Sequence, residues 1–461
     1  MKKEITGLFC LLIVAHFMMM LITGCAQIGA PTGGPQDTSA PILIRSVPEN
    51  KKLNFAGNKI SLTFNEYVEL QDIAANVLIS PLQKINPSIN GSLKTVTIKF
   101  KDSLLPNTTY TINFGSAIKD INEGNVLNNF TFLFSTGANI DSLTIKGKVL
   151  MAENGAIDSS LLVLLYRNAP DSAVATRRPN YITRIKGDGS YIFNNLPADK
   201  FKVFALKDGD GNKWYNAKTE VFAFNNEEID TRISDSTSPL YAYAETSISP
   251  SVPFVKKIIE KKLGYTSNMI SEEQDLFEPL ELTFNNTLKT LNKDSIILCD
   301  SNFVSVLQGT LVIDSTRRKI TIANKWQPKQ DLQLIILKGA VEDSSGNKLL
   351  KTDTLHFYTK SINQYGSLKI TFKNIDLSKH PLIQFMDGQM VKFAFPVLSN
   401  IWENKMMLPG EYEVRILYDE NNNGVWDPGN YENKKQAEKG ITLPQKISLK
   451  ADWENEREFM L

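Results

Sequence analysis

The segment Asp419-Glu420-Asn421-Asn422-Asn423-Gly424-Val425-Trp426-Asp427 has residue types and a spacing that suit a definite chemistry. Side-chain oxygens fall at positions 1, 3 and 5 (Asp419, Asn421, Asn423), glycine at 6 and Asp427 at 9. A hard cation such as Ca²⁺ needs that spacing, because alternate oxygens converge on the ion and glycine permits the sharp turn. A related stretch, Asp208-Gly209-Asp210-Gly211-Asn212, repeats the oxygens through Asp208, Asp210 and Asn212, with Asn216 at position 9. There Lys213 stands at position 6 and adds a repelling charge. Position 12, where a strong Ca²⁺ loop places a bidentate Glu, holds Asn430 in one stretch and Thr219 in the other. Fewer carboxylates mean weak binding, with a Kd on the order of 10⁻⁴ to 10⁻³ M. The same residues also suit a plain hairpin turn, in which Asp, Asn and Gly supply local hydrogen bonds and positive φ without metal. The turn is the simpler reading, and Ca²⁺ is the cofactor to test.

Trp214, Tyr215, Trp426 and Tyr431 flank these stretches. They suit either a stacking surface for sugars, with Trp214 and Trp426 foremost, or local packing over the loops. Catalytic sets are hard to assemble. His356 sits in the alternating run Leu355-His356-Phe357-Tyr358, which places it on a sheet face, and His380 precedes Pro381 in a polar loop. No G-x-S-x-G, H-E-x-x-H or phosphate-binding glycine loop stands in its required context. Cys299, within the apolar run Ile296-Ile297-Leu298-Cys299, reads as a buried inert thiol. Asp120 and Asp343 each precede a Gly-Asn pair and read as turn formers. The chain is expected not to be an enzyme.

Cys25 carries a different chemistry. Met1-Lys2-Lys3 is a basic start, Ile5 to Ile22 is almost free of charge, and Thr23-Gly24 are small residues before the cysteine. Basic, apolar and small-residue regions in that order make a secretory signal. With Gly24-Cys25 at its end the stretch resembles the lipobox of bacterial lipoproteins. That resemblance implies a cleaved signal peptide over 1–24, lipidation (palmitate among the acyl chains) on Cys25, and a membrane partner reached through the lipid. Ala26, with no acid until Asp37, implies by the same resemblance the cell outer membrane and a periplasm-facing chain. Residues 25–40, rich in Gly, Pro, Thr and Ala, read as a flexible tether. Net charge is +1 and its excess lies in the signal, so the mature chain is near neutral. That removes the electrostatic case for nucleic acid, and no basic run near Cys25 offers a second, charge-based membrane contact. Cys10 leaves with the signal and Cys25 is modified, so Cys299 has no disulfide partner and the domains must stand on apolar cores.

The elements that position all this are strands. Lys59–Phe64, Thr95–Phe100, Thr109–Phe114 and Phe130–Phe134 alternate apolar and polar residues at period two, separated by turn clusters such as Asn90-Gly91 and Pro106-Asn107. The pattern predicts an all-β chain of tandem β-sandwich domains. It also repeats. Ile60-Ser61-Leu62-Thr63-Phe64-Asn65 matches Leu280-Glu281-Leu282-Thr283-Phe284-Asn285, and Phe201 to Leu206 matches Tyr412 to Leu417. The order is A-B-A′-B′, with A at 41–137, B at 143–235, a linker at 241–269, A′ at 270–360 and B′ at 366–461. The run Phe254–Ile259 inside the linker is a candidate strand or short helix.

Segment 41–137 resembles a bacterial Ig-like domain of the S-layer-protein type, through Ser46-Val47-Pro48-Glu49-Asn50, Leu105-Pro106-Asn107-Thr108-Thr109-Tyr110 and the Lys119-Asp120…Gly124-Asn125 turn. Segment 270–360 resembles it less closely. Segment 143–235 resembles a carboxypeptidase-regulatory or transthyretin-like sandwich, through Gly147-Lys148-Val149 and Gly187-Asp188-Gly189-Ser190-Tyr191 to Leu196-Pro197. Segment 366–461 keeps Leu408-Pro409-Gly410-Glu411-Tyr412 of that pattern. The whole is similar to Ig-like lipoproteins of Bacteroidetes type. The resemblance implies a structural or binding scaffold at the cell envelope, with an envelope protein or glycan as partner. A carbohydrate-capture module of a polysaccharide uptake system is the alternative.

Overall fold

The computed structural model of the chain describes residues 13–16, 18, 36–246 and 262–461. Cys25, nearly all of segment 1–24, most of the tether and the run Phe254–Ile259 lie outside the described residues. Strand makes up 45% of the chain and helix 5%, so the fold is all-β. Among the described residues no helix is long and apolar enough to cross a membrane. The chain divides into two units, Met1–Ile140 and Asp141–Leu461.

In the first unit, the strands Leu43–Val47, Lys59–Phe64, Thr95–Lys99 and Ser88–Ser92 form one sheet in that spatial order. Thr131–Ser135, Thr109–Asn113 and Leu78–Ser80 form a second, and Val68–Leu70, Ile118–Asp120 and Val126–Leu127 a third. Period-two alternation sends Ile60, Leu62 and Phe64 inward, where Ile60 sits opposite Ile98 and Leu62 opposite Val96. From the facing sheet come Tyr110, Ile112, Phe132 and Phe134, and the Tyr110 and Phe134 rings stack at 5.1 Å. Side chains from two inner faces interdigitating in this way make a sandwich core.

The second unit repeats that strand order and adds another. Tyr265–Ser267, Leu280–Phe284, Lys319–Ala323 and Thr310–Ile313 form a sheet ordered like the first one above. Asp353–Thr359, Asp331–Ile336 and Ile296–Asp300 follow the order of the second, and Leu288–Leu291 pairs with Val341–Asp343 as Val68–Leu70 does with Ile118–Asp120. In segment B, Leu143–Met151 lies between Ser190–Leu196 and Leu240–Ala242, and the larger sheet runs Tyr181–Arg184, Leu162–Arg167, Lys200–Leu206, Phe222–Phe224. In B′, Gly366–Lys373 lies between Ile401–Met407 and Glu454–Met460, and the larger sheet runs Met390–Pro396, Pro381–Asp387, Gly410–Tyr418, Lys439–Thr442. In both, the first strand pairs in parallel with the last.

Two boundaries differ from the sequence reading. Leu240–Ala242 pairs with Val149–Met151 and so belongs to B, which therefore runs past 235. Tyr265–Ser267 pairs with Leu282–Phe284 and opens A′ before 270. The linker read at 241–269 thus loses both ends. Three-residue strands are too short to show a period, so their turn-like sequences read as connection.

Segments B and B′ lie face to face. In strand Leu162–Arg167, Val163 and Leu165 fill the B core, yet Leu164 and Tyr166 on the opposite face are also buried. In strand Pro381–Asp387, Ile383 and Phe385 fill the B′ core, yet Leu382, Gln384 and Met386 are buried as well. A sheet buried on both faces needs a second cover. The Gly440 amide donates to the Ala152 carbonyl at 2.7 Å and Thr442 to Asn154 at 3.0 Å, so a turn of B extends the edge of the larger B′ sheet. A Cβ on Gly440 would overlap the Glu153 carbonyl, which is why glycine stands there. Arg415, 6% exposed, donates to Glu153 Oε1 at 2.9 Å and to Gln384 Oε1 at 2.8 Å.

Candidate cation-binding loops

Both Asp-rich stretches occupy one place in the fold. Leu206 pairs with Phe222 in B, and Leu417 pairs with Gly440 in B′. Asp208 and Asp419 each stand two residues after the outgoing strand position, and Glu220 and Glu438 each stand two before the returning one. The register therefore brings a glutamate to each loop that spacing within the loop does not reveal. Repeat alignment across the two copies is the signal that finds it.

In B′, Asp419 is 1% exposed and accepts the Asn423 amide at 3.1 Å and the Gly424 amide at 2.6 Å. Gly424 has φ +83°, the left-handed region that this turn requires. Asn421 and Asn423 both aim side-chain nitrogens at Asp427 Oδ2, the latter at 3.0 Å. Their oxygens accept the Asn423 and Val425 amides at 3.1 and 2.9 Å. Glu438, 4% exposed, accepts amides of Glu420 and Asp427, both at 3.0 Å. Burial pushes its carboxyl above the usual range, Asp419 and Asp427 push the same way, and the amide bonds oppose them. Among the described residues no Lys or Arg forms an ion pair with Asp419, Asp427 or Glu438.

Segment B solves the same problem with its own cation. Oxygens of Asp208, Asp210 and Glu220 converge within 4.8 Å. Lys213 Nζ reaches Asp208 Oδ2 at 2.5 Å, and Glu220 accepts the amides of Asn216 and Ala217 at 3.1 and 3.2 Å. Asn212 donates to Asp210 Oδ2 at 2.7 Å, and so does Asn216 at 3.1 Å. The residue that breaks the Ca²⁺ pattern in sequence is thus an ammonium standing where a cation would. Among the described residues the carboxylates that converge within 4.8 Å are those of B; the B′ loop as it stands is closed by hydrogen bonds, with the Asn421 and Asn423 nitrogens on Asp427 and the loop oxygens on backbone amides.

The position-12 residue does not close the loop. Asn430 reaches Glu245 Oε2 of segment B at 3.2 Å, and the Tyr431 amide donates to Glu245 Oε1 at 3.0 Å. The Tyr431 ring stands edge-on to Phe204, Phe222 and Phe224, at 5.9, 5.2 and 5.0 Å, and its hydroxyl donates to the Asp171 carbonyl at 2.7 Å. Tyr431 is therefore the plug of the B–B′ joint. Tyr215 is buried and stacks on Phe222 at 4.2 Å. Trp214 and Trp426 are half-buried, and Trp426 Nε1 donates to the Glu438 carbonyl at 2.8 Å.

The other singled-out residues fall in three kinds of place. Asp120 accepts the amides of Glu123, Gly124 and Asn125 at 2.6 to 2.9 Å, and Asp343 those of Ser345 and Asn347, so each shapes a turn. His356 is exposed on strand Asp353–Thr359, and His380 is exposed in a turn with φ +47°. Cys299 is buried, which pushes its thiol upward and away from reactivity.

Comparison with known proteins places residues 37–136 in the bacterial Ig-like domain family. No curated protein matches the chain. Among solved structures, the TIE protein of Bacillus anthracis is similar at 11% identity, over 94% of this chain and 75% of that one, with a TM-score of 0.16. The major pilin subunit BcpA of Bacillus cereus is similar at 8% identity, over 69% and 99%, with a TM-score of 0.17. The N-terminal part of the bacterial S-layer protein SbsC shares 16% identity over 35% and 40%, with a TM-score of 0.16.

Proposed function

We propose that the chain is a non-catalytic scaffold of the cell envelope, anchored by lipid on Cys25 in the outer membrane and facing the periplasm. In this reading it is a duplicated pair, an Ig-like sandwich followed by a transthyretin-like one. The observation that carries the scaffold role is the seating of B on B′. That joint covers the outer faces of two sheets, extends a sheet edge by two backbone bonds and is plugged by Tyr431. Sandwiches joined this way hold their exposed loops in one geometry, which suits presentation of a surface. The family match over 37–136 supports the first sandwich of the pair, and the repeated strand orders support the duplication. Gly24-Cys25 after an apolar run supports the anchor, and Ala26 supports the outer membrane. Near-neutral charge implies that an envelope protein or glycan would be chosen by shape and local polar contacts. The Asp419–Asp427 loop with Glu438 would hold Ca²⁺ within this frame.

The test is intact-mass analysis of the protein extracted from fractionated membranes. Acylated Cys25 at the N-terminus in the outer-membrane fraction is expected, with Cys25→Ala accumulating as uncleaved precursor. Recovery of an unacylated chain from the soluble fraction sinks the anchor. Photo-crosslinking from the exposed loops of B and B′ in cells is expected to capture a discrete envelope component, and turnover of an envelope substrate by the purified protein overturns the non-catalytic reading.

A further inference from the structure

The two Ig-like copies differ sharply at one tip. In A, the Asn65–Val68 turn is held by three hydrogen bonds, two between backbone groups and one to the Asn65 side chain. Ile42 donates to Asn65 Oδ1 at 2.7 Å, Ile121 donates to the Tyr67 carbonyl at 3.1 Å, and Val68 donates to the Leu93 carbonyl at 3.0 Å. A′ repeats every tie: Gly264 to Asn285 Oδ1 at 3.0 Å, Ser344 to Thr287 at 3.0 Å, Leu288 to Arg317 at 2.8 Å. Leu93 and Arg317 even share a positive φ, 52° and 53°. The backbone is the same, so the side chains can be compared position by position. Where A′ has Gly264, Thr287, Arg317 and Ser344, A has Ile42, Tyr67, Leu93 and Ile121. Those four are 61, 48, 70 and 53% exposed.

Neither fold nor turn chemistry calls for these apolar residues, since A′ builds the same tip without them. Leu93 occupies a left-handed position that a Leu gains nothing by filling. An apolar cluster ringing one turn marks a docking surface. Its place decides the occupant. The chain enters the fold at this tip: the Asp37 carbonyl accepts the Asn125 side chain at 2.9 Å, in the turn just beyond Ile121. Cys25 lies twelve residues before Asp37, so the two are at most roughly 40 Å apart. Lys94 borders the cluster, its Nζ over the Tyr67 ring at 5.4 Å, in the manner of a cation that leaves its stem on apolar surface. Glu66, Asp37 and Glu123 are nearby, so an uncharged lipid surface suits the tip better than an anionic one.

We propose that the Ile42, Tyr67, Leu93 and Ile121 tip of A inserts into the interfacial layer of the bilayer that anchors the chain. This rests on the lipoprotein reading above and deepens it. The acyl chains hold the protein to the membrane, and the tip sets the angle at which A stands on it. Tyr, with an apolar ring and a polar end, is well matched to that layer.

The test uses the full mature protein, purified in detergent and reconstituted into phosphatidylcholine vesicles. A nitroxide is attached at Leu93→Cys in one preparation and at Arg317→Cys, the equivalent place in A′, in another; Cys299 is buried. The label at 93 is expected to be severalfold more accessible to oxygen than to a water-soluble nickel complex, and the label at 317 the reverse. The variant Ile42→Gly, Tyr67→Thr, Ile121→Ser, carrying the A′ residues on a backbone that already tolerates them, is expected to return the label at 93 to water while still floating with vesicles. A water-exposed label at 93 on an acylated, floating wild-type chain overturns this inference alone. A chain that carries no acyl group and does not float overturns the anchor and this inference together. Occlusion of 93 in native envelopes but not in lipid vesicles overturns it in favour of a protein partner.

Discussion

Asp208 has an ammonium 2.5 Å away and Asp419 has none, though the two loops share a frame. In the proposed reading Lys213 is the residue that keeps an external cation out of the B loop. For a Kd of about 10⁻³ M, Ca²⁺ at about 10 mM contributes RT ln(1 + [L]/Kd), about 1.4 kcal/mol. The melting temperature is expected to rise in Ca²⁺ relative to chelator, to stay flat in Asp419→Ala, and to keep its rise in Asp208→Ala. A wild type that melts alike in both buffers reduces the B′ loop to a turn. Glu438 makes a second prediction. Its carboxyl titrates above the ordinary 4.5 in the folded chain. The native state then holds a proton that the unfolded chain has released, so this contribution to stability is full below the ordinary value and is lost as pH rises through the folded one. As pH rises from the ordinary carboxylate value through the raised folded one, Glu438→Gln should lose less melting temperature than wild type measured without Ca²⁺; parallel profiles would refute the assignment. The turn that joins Asp419, Asn421, Asn423 and Asp427 was legible because its hydrogen-bonding partners are local in sequence. Glu220 and Glu438 were not, because they reach the loops only through strand register.

Strands with one wet face read directly from their alternation, as in Lys59–Phe64 and Thr95–Lys99. Pro381–Asp387 did not, since both of its faces are covered and no polar face remains to set the period. The pairing of Lys439–Thr442 with the 152–154 turn is a similar surprise: it is an edge strand whose free side is occupied by another domain. Gly440→Val should push that turn away. It is expected to cost about 1 to 3 kcal/mol as an overpacked contact and to open the amides of residues 440 and 442, which donate to the Ala152 and Asn154 carbonyls, to hydrogen exchange; unchanged exchange would mean the edge is not shared. Across the same joint, Arg415 is buried but the Glu153 side chain is 47% exposed. A double-mutant cycle on this pair should therefore return a coupling of about 1 kcal/mol, well short of a fully buried pair.

At the scale of the molecule, B and B′ are distant in sequence, with all of A′ between them, yet they share a buried face. No local pattern announces such a joint, because each contributor (Tyr431, Phe222, Arg415) reads individually as ordinary core or surface. The recurrence of Leu62-Thr63-Phe64-Asn65 at 282–285 was legible, and the two strands that carry it hold the same place in their sheets. What the copies do to each other was not. Calorimetry of the full chain should show B and B′ melting in one transition. Tyr431→Ala, which removes about 3 to 5 kcal/mol of packing, should split it in two; a profile that keeps its shape would mean that the joint couples the sandwiches weakly. One further property follows from how each of these sandwiches begins and ends. Gly366–Lys373 and Glu454–Met460 run parallel through seven register pairs, so the ends of B′ leave the sheet in opposite directions. Tension applied between those ends pulls the whole ladder in shear, and its hydrogen bonds must fail together instead of one at a time. A chain tethered to a bilayer at one terminus and held by a partner beyond the other would meet pulling force with its most resistant geometry, and its lifetime under tension would be set by the rate of that single cooperative rupture.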